Sequence, residues 1–189
     1  MKTAILRDPI FLAHDPGEGH PESARRLEAV YQLLDREPLE NTLDVAPRPA
    51  HREELARIHT GMHIDTVERT ADRGRVLLDS DTRTSPRSYE SALKAAGATM
   101  QAVEMVCAGE AQGAFALVRP PGHHAEQNHA MGFCLFNNAG VAAAHAVEEL
   151  GLERVLLLDP DVHHGNGTQH AFWQRPEILY VSSHRYPFY

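Results

Sequence analysis

The hydrophobic and polar positions of the chain follow two periods in turn, which predicts strands alternating with helices. Short apolar runs predict strands over 3–8, 113–120, 154–161 and 177–185. Apolar residues spaced three and four apart predict helices over 23–37, 51–74 (as one helix or two), 89–110, 137–153 and 167–175. The run Leu156–Leu158 is continuous, as is typical of a parallel strand buried on both faces. This order of elements predicts an α/β domain with a parallel sheet.

Loops that follow three of the predicted strands carry most of the reactive side chains. These loops begin after Val118, Leu158 and Val181. Because sites in open α/β sheets lie outside the carboxyl ends of the strands, we expect the three loops to open on one rim. Asp161 and His163 lie two residues apart and would face the same side of an extended segment. Oxygen and nitrogen ligands without thiolate suit zinc or another first-row divalent ion.

These residues also have simpler interpretations. Asp161 could merely cap a helix that begins near Gly165, but a cap explains neither the neighbouring histidines nor Asp159. His123 and His124 could be exposed loop residues. Adjacent histidines do not easily chelate one ion, but they can form an acid–base pair beside a metal-bound water.

Composition limits the class of protein. The chain has 189 residues, 42% of them hydrophobic, which predicts a single domain over 1–189. Its formal net charge of -8 argues against a nucleic-acid partner and favours a cationic or neutral substrate. Two cysteines, Cys107 and Cys134, form no disulfide framework. The apolar stretch near the N-terminus is too short for a signal peptide or membrane span, so we expect a cytoplasmic protein without a membrane partner.

Four segments resemble the zinc-dependent histone deacetylase superfamily. They are "HDPGEGHPESARRLEAV", "RPPGHHAEQNHAMGFCLFNN", "DPDVHHGNGTQ" and "VSSHRYPFY". The best resemblance is to bacterial class II-like deacetylases, which are related to acetylpolyamine amidohydrolases and acetoin-utilisation proteins. It implies an arginase/deacetylase-like, three-layer α-β-α fold with a parallel sheet. It also implies a small-molecule or peptide substrate that carries an acetylated amine.

The resemblance assigns a catalytic role to five residues. Asp161 and His163 would be ligands of one catalytic Zn²⁺. His124 would be the general base and acid, acting on a metal-activated water that hydrolyses the acetyl amide of acetyl-lysine or an acetylated polyamine. His123 would be its electrostatic partner, hydrogen-bonded to Asp159.

Further residues are assigned by the same resemblance. Asn166 would orient the general base. Gly132, Phe133 and Asp81 would border the substrate channel, and Arg26 would belong to an internal cavity that releases acetate. A structural K⁺ or Na⁺ would be bound, largely through backbone carbonyls, by Asp159, Asp161, His163, Ser182 and Ser183.

Two groups that the family uses have no candidate in this sequence. They are the third zinc ligand, an Asp far downstream, and the Tyr or His that hydrogen-bonds the oxyanion. The chain therefore resembles the N-terminal portion of a deacetylase domain, truncated at Tyr189, and we expect residues 1–189 alone to bind zinc weakly and to lack activity. Pro160 also departs from the pattern. Because proline cannot donate to a sheet ladder, we expect the strand to end there.

Two other functions stay open on the sequence. The chain could be an inactive fragment that acts only as a binding or structural module. It could also be a binuclear manganese ureohydrolase on the same kind of fold. That class of site needs several Asp ligands in a "DAHxD"-type pattern, which the sequence lacks.

Overall fold

Strands and helices alternate along the chain as predicted. The computed structural model describes residues 2–187. Its elements in chain order are β1 (Thr3–Leu6), α1 (Ile10–Ala13), α2 (Ala24–Arg36), β2 (Thr42–Val45), α3 (Arg52–Leu55), α4 (Gly61–Glu68), β3 (Val76–Leu77), β4 (Arg83–Thr84), α5 (Ser88–Cys107), β5 (Gly113–Ala116), α6 (Asn138–Glu148), β6 (Val155–Asp159), α7 (Asn166–Phe172) and β7 (Ile178–Ser182).

The longer strands pair in parallel, in two groups. The first group has the order β2-β1-β5, and the second joins β6 to β7. Strands β3 and β4 form a small antiparallel hairpin. As expected, β6 ends at Asp159, directly before Pro160. The α/β class with a parallel sheet is confirmed.

Small side chains allow the central helices to pack closely. Helix α5 packs against α6, β5 and β1, and its Ala95, Ala96 and Ala98 are fully buried. Between them, a Cβ on Gly97 would lie 2.1 Å from the carbonyl oxygen of Arg48. A glycine is therefore required where α5 meets the segment before α3. This packing holds β5, and the loop that follows it, against the rest of the molecule.

One face of the β6–β7 pair is uncovered among the described residues. Leu156, Leu158 and Leu179 are 63%, 66% and 62% exposed, and Val181 is exposed as well. We call these four side chains the open face. The prediction that this strand is buried on both faces is therefore wrong for residues 2–187, because only Val155, Leu157 and their equivalents on β7 face the helices. No helix of residues 2–187 is long and apolar enough to cross a bilayer.

Candidate metal and catalytic site

The loops after β5 and β6 meet at a cavity of about 330 Å³. Most of the residues predicted for the site line this cavity, namely Arg26, Asp81, His123, His124, Gly132, Phe133, Asp161 and His163. Asp159 and Asn166 contact the two lining histidines from behind. Ser182 and Ser183 lie at the end of β7. The rim shared by the loops after β5 and β6 was thus correctly expected, whereas no described residue after Val181 is among those that line the cavity.

Asp161 and His163 have the spacing of two ligands of one ion. Asp161 Oδ1 lies 3.4 Å from His163 Nδ1. Two ligand atoms on a tetrahedral zinc with bonds of about 2.0–2.1 Å lie roughly 3.3 Å apart. Both side chains are about half exposed, so an ion could reach them from the cavity. Asp161 does not cap α7, whose N-cap is Gly165; it accepts the backbone N–H of His163 instead.

A third ligand for this pair is not found among residues 2–187. The group of three potential ligands that the described residues do form is Glu54, Glu104 and His145, whose ligand atoms lie within 4.8 Å of one another. It lies on α3, α5 and α6, outside the cavity. Arg48 donates to both of its carboxylates, at 2.9 and 2.8 Å. An ion there would have to displace the guanidinium, so this group fits a metal poorly.

His123 contacts a carboxylate on the side away from the cavity. Its Nδ1 lies 2.9 Å from Asp159 Oδ2, which also accepts a hydrogen bond from the hydroxyl of Tyr180 at 2.8 Å. Burial alone would raise the pKa of Asp159, but the hydrogen bonds from His123 and Tyr180 outweigh it and lower the pKa. Asp159 therefore stays ionised and can accept a hydrogen bond from His123. A Cβ at Gly165 would lie 2.5 Å from both Asp159 Oδ2 and the Tyr180 hydroxyl, so only glycine fits beside this carboxylate.

His124 is buried and is held by an amide. Its Nδ1 lies 2.7 Å from Asn166 Oδ1. Burial lowers the pKa of His124, and the hydrogen bond to Asn166 opposes this shift without cancelling it. The ring packs against Gly132, whose φ is +55° and where an added Cβ would lie 2.4 Å from His124 Cδ2. The environment therefore favours a neutral imidazole in one fixed position.

Phe133 and Asp81 line the same cavity as the histidine pair. The Phe133 backbone N–H donates to Thr82 Oγ1 at 3.0 Å, and the Phe133 ring meets His20 edge-on, with 4.8 Å between ring centroids. His20 Nε2 in turn lies 3.0 Å from the carbonyl oxygen of Asp81. Arg26, on α2, is exposed and also lines the cavity.

The residues assigned to a monovalent cation lie together at the ends of β6 and β7. The Ser183 backbone N–H donates to the carbonyl oxygen of Asp159 at 3.1 Å. The Asp161 N–H donates to Asp159 Oδ1, also at 3.1 Å. Ser182 Oγ lies 2.8 Å from Nδ1 of His184. These contacts bring the two strand ends together, and the role of a bound cation there stays a prediction.

Two groups that support the site were missed in the sequence. Tyr180, which donates to Asp159, lies on an ordinary apolar strand. A buried ion pair between Arg119 and Glu22 joins the loop of residues 14–22 to the strand end that precedes His123. Arg119 also donates to the carbonyl of Phe11 at 2.6 Å. Burial alone would raise the pKa of Glu22, but the hydrogen bonds from His14 and Arg119 lower it to about 2.

Comparisons with known proteins agree with this geometry. The model of the histone deacetylase domain family matches residues 20–189. The histone deacetylase-like amidohydrolase of Pseudomonas aeruginosa is 42% identical over 88% of this chain and 44% of its own length. Human polyamine deacetylase HDAC10 is 40% identical over 93% of this chain and 27% of its own length.

The fold leads to the same family. The crystal structure of the HDA15 HD domain, 40% identical in sequence, superposes on the whole of this chain and on 56% of its own chain, with a TM-score of 0.95. The chain thus has the arginase/deacetylase-like α/β fold, and it spans well under two thirds of the length of each of these three proteins. Fold, family model and relatives agree, and the chain belongs to the histone deacetylase family.

Proposed function

We propose that the protein is a zinc-dependent deacetylase, which hydrolyses the acetyl amide of an acetylated lysine or polyamine. The observation that carries this proposal is the meeting of two pairs in one cavity: His123 with His124, and Asp161 with His163. Relatives named for histone, polyamine and general amide substrates support an acetylated amine as the substrate class. The net charge of -8 supports a cationic one.

Asp161 and His163 would hold the metal. Their 3.4 Å spacing supports a shared ion, and a carboxylate with an imidazole is a ligand pair that zinc accepts. A zinc ion would polarise the acetyl carbonyl as a Lewis acid and would lower the pKa of a water molecule bound to the ion. Catalytic zinc sites normally use three protein ligands, so two alone would hold the ion weakly. For this reason we expect residues 1–189 by themselves to be inactive.

His124 would move the proton. A neutral imidazole whose Nδ1 faces Asn166 Oδ1 has its lone pair on Nε2, so Nε2 can take a proton from water. It can then return that proton to the departing amine. The lowered pKa of His124 supports this role, because the base must be neutral at the start.

His123 would act as the second, electrostatic histidine. Its Nδ1 faces the Asp159 carboxylate, so a proton on the other ring nitrogen would leave a cation held by an anion. Its ring centroid lies 4.0 Å from that of His124, so this positive charge would act on the ring that moves the proton. Gly132 and Phe133 would border the acyl chain, with Asp81 at the rim, and Arg26 would face the released acetate.

The proposal is tested on the full-length gene product with an acetyl-lysine peptide and an acetylated polyamine. Exhaustive chelation should abolish turnover, and one equivalent of zinc should restore it. His124→Ala should lower kcat by roughly a hundredfold to ten-thousandfold while the zinc content is unchanged. Asp161→Ala should lose both zinc and activity. His129→Ala, which removes an exposed imidazole from the same loop, is the matched control and should change neither.

Two results would overturn the proposal. One is a full rate after exhaustive chelation, which would exclude a metal from the reaction. The other is loss of zinc from His124→Ala, which would make His124 a ligand and leave the proton transfer without its base. The assay of residues 1–189 alone with added zinc is a further check, because a rate near that of the full-length product would contradict the two-ligand argument.

A further inference from the structure

We propose that Glu126 is a positioning residue that holds the Asn166 amide in one orientation, and that its charge is the reason why residue 166 is an amide. The inference rests on the proposed role of His124 as the base. Glu126 is part of neither pair in the cavity. It lies behind them, in the loop that follows the two histidines.

A chain of hydrogen bonds connects Glu126 to His124. His124 Nδ1 lies 2.7 Å from Asn166 Oδ1, and Asn166 Nδ2 lies 2.5 Å from Glu126 Oε1. Both carboxylate oxygens of Glu126 lie 2.9 Å from Nδ1 of His170, whose side chain is 65% exposed. Glu126 itself is buried, at 9% exposure. One buried carboxylate therefore links the proposed base, through one amide, to an imidazole at the surface.

The chemistry of the three groups sets the direction of every bond. An ionised carboxylate can only accept hydrogen bonds, so the NH₂ side of the Asn166 amide must face Glu126. The oxygen side then faces His124 Nδ1, and that nitrogen must donate. The proton of the neutral imidazole is thereby fixed on Nδ1, and its lone pair is on Nε2. Without Glu126 the Asn166 NH₂ group would keep only two long contacts, to the His124 carbonyl at 3.5 Å and to Met131 Sδ at 3.4 Å, so the amide could turn over. Its NH₂ group would then favour the tautomer that is useless for the proposed chemistry.

Glu126 is itself held by its backbone. Its N–H donates to the carbonyl of His129 at 3.0 Å, and its own carbonyl lies 2.9 Å from Nδ1 of His59, which is buried. The carboxylate is therefore presented from a fixed segment. A rigidly held acceptor can select between the two orientations of an amide, whereas a mobile one would follow the amide.

The same contact excludes a carboxylate at position 166. Asn166→Asp would place two carboxylates at hydrogen-bond distance in a buried site, and like charges that close cannot both stay ionised. Glu126→Gln removes this conflict, because the amide of Gln can donate to Asp. The double variant would again present a carboxylate oxygen to His124 Nδ1. Glu126→Gln should therefore restore the activity that Asn166→Asp loses.

The test is a double-mutant cycle of Glu126→Gln with Asn166→Asp, with Glu126→Ala measured beside it, in the zinc-loaded, full-length gene product. Glu126→Ala and Asn166→Asp should each lower kcat by roughly tenfold to a hundredfold, with little change in KM. Adding Glu126→Gln to Asn166→Asp should recover most of the loss. The control is Glu90→Gln, which removes one negative charge at an exposed position of α5 and should recover nothing. The urea concentration at the unfolding midpoint should likewise fall in Asn166→Asp and rise again in the double variant.

A purely structural role for Glu126 would predict a lower unfolding midpoint in Glu126→Ala and no recovery in the double variant. Either full activity of Asn166→Asp or an unrecovered double variant overturns the inference. Nitrogen chemical shifts of the His124 ring give a readout that needs no turnover: Nδ1 should carry the proton in the wild type, and the tautomers should mix in Glu126→Ala. If the wild type hydrolyses no acetyl amide, the proposed function fails, while the shifts and the unfolding cycle still decide the role of Glu126.

Discussion

His59 should make the stability of the protein fall as the pH is lowered below about 6.5, the pKa of a histidine in an unfolded chain. The ring is 3% exposed and bridges two backbone groups: its Nδ1 lies 2.9 Å from the carbonyl of Glu126, and its Nε2 accepts the N–H of Asn137 at 2.9 Å. This pattern requires a neutral ring with its proton on Nδ1. Protonation at Nε2 would remove the bond from Asn137 and bury a charge.

The size of this loss of stability follows from the shift in the pKa of His59. Burial, with a smaller contribution from the nearby His63, lowers the pKa of His59 from 6.5 to about 3. The folded pKa lies below the unfolded one, so the unfolded chain takes up the proton first as the pH falls. Stability from this group is complete above pH 6.5 and decreases by about 1.4 kcal/mol per pH unit toward pH 3. At pH 5 the loss should be about 2 kcal/mol.

Urea unfolding followed by circular dichroism between pH 7.5 and pH 5 measures this loss. His59→Gln should be less stable than the wild type at pH 7.5, with the difference shrinking by about 2 kcal/mol at pH 5 because the variant no longer titrates there. For the control His129→Gln, at an exposed site, the difference in stability from the wild type should be the same at pH 7.5 and pH 5. A wild-type-to-His59→Gln difference that does not change with pH would refute the reasoning.

Three further predictions concern a buried ion pair, a close contact in the site and the open face. Arg119→Met should cost about 3–5 kcal/mol of unfolding free energy because buried Glu22 loses its guanidinium partner and keeps only His14, and adding Glu22→Gln should return part of that cost in urea unfolding. Gly132→Ala should cost about 1–3 kcal/mol and lower kcat at unchanged zinc content, because its methyl group would meet the His124 ring; wild-type kinetics would contradict this. The open face should make residues 1–189 self-associate, and Leu158→Lys should reduce this self-association in sedimentation experiments; an unchanged mass distribution would show that the open face is not responsible.

The long elements of the fold were predictable because their patterns repeat over several turns. The 20-residue helix α5 and the apolar runs of β6 and β7 are examples. The pattern did not predict α1, β2, β3 and β4, because two to four residues are too few to separate helix, strand and loop. Strands β1 and β5 also have four residues, but they were predicted as parts of longer segments. The exposure of Leu156 and Leu158 was not predictable either. A continuous apolar run shows that a strand suits a buried sheet, but not whether the described residues cover both faces.

The site shows the same division. That Asp161, His163 and the His123–His124 pair meet follows from their place after parallel strands. The groups behind them are set by pairing register and by loop shape. Tyr180 lies opposite Leu157 in the register of β6 with β7, on the side that Asp159 faces, and only that register shows its contact with the carboxylate. The contact of Glu126 with Asn166 joins a loop to the first residue of α7, 40 positions away, and the sequence offers no periodic signal for it.

Strand β6 connects the candidate metal site to the open face. Its last residue is Asp159, two positions before Asp161, and its outward side chains Leu156 and Leu158 belong to the open face. An ion held at the first place and a polypeptide packed on the second would both favour the same position of the strand. Their binding free energies are then coupled, and by linkage each raises the affinity for the other by the same factor. Metal affinity would thus report on how completely that hydrophobic surface is covered.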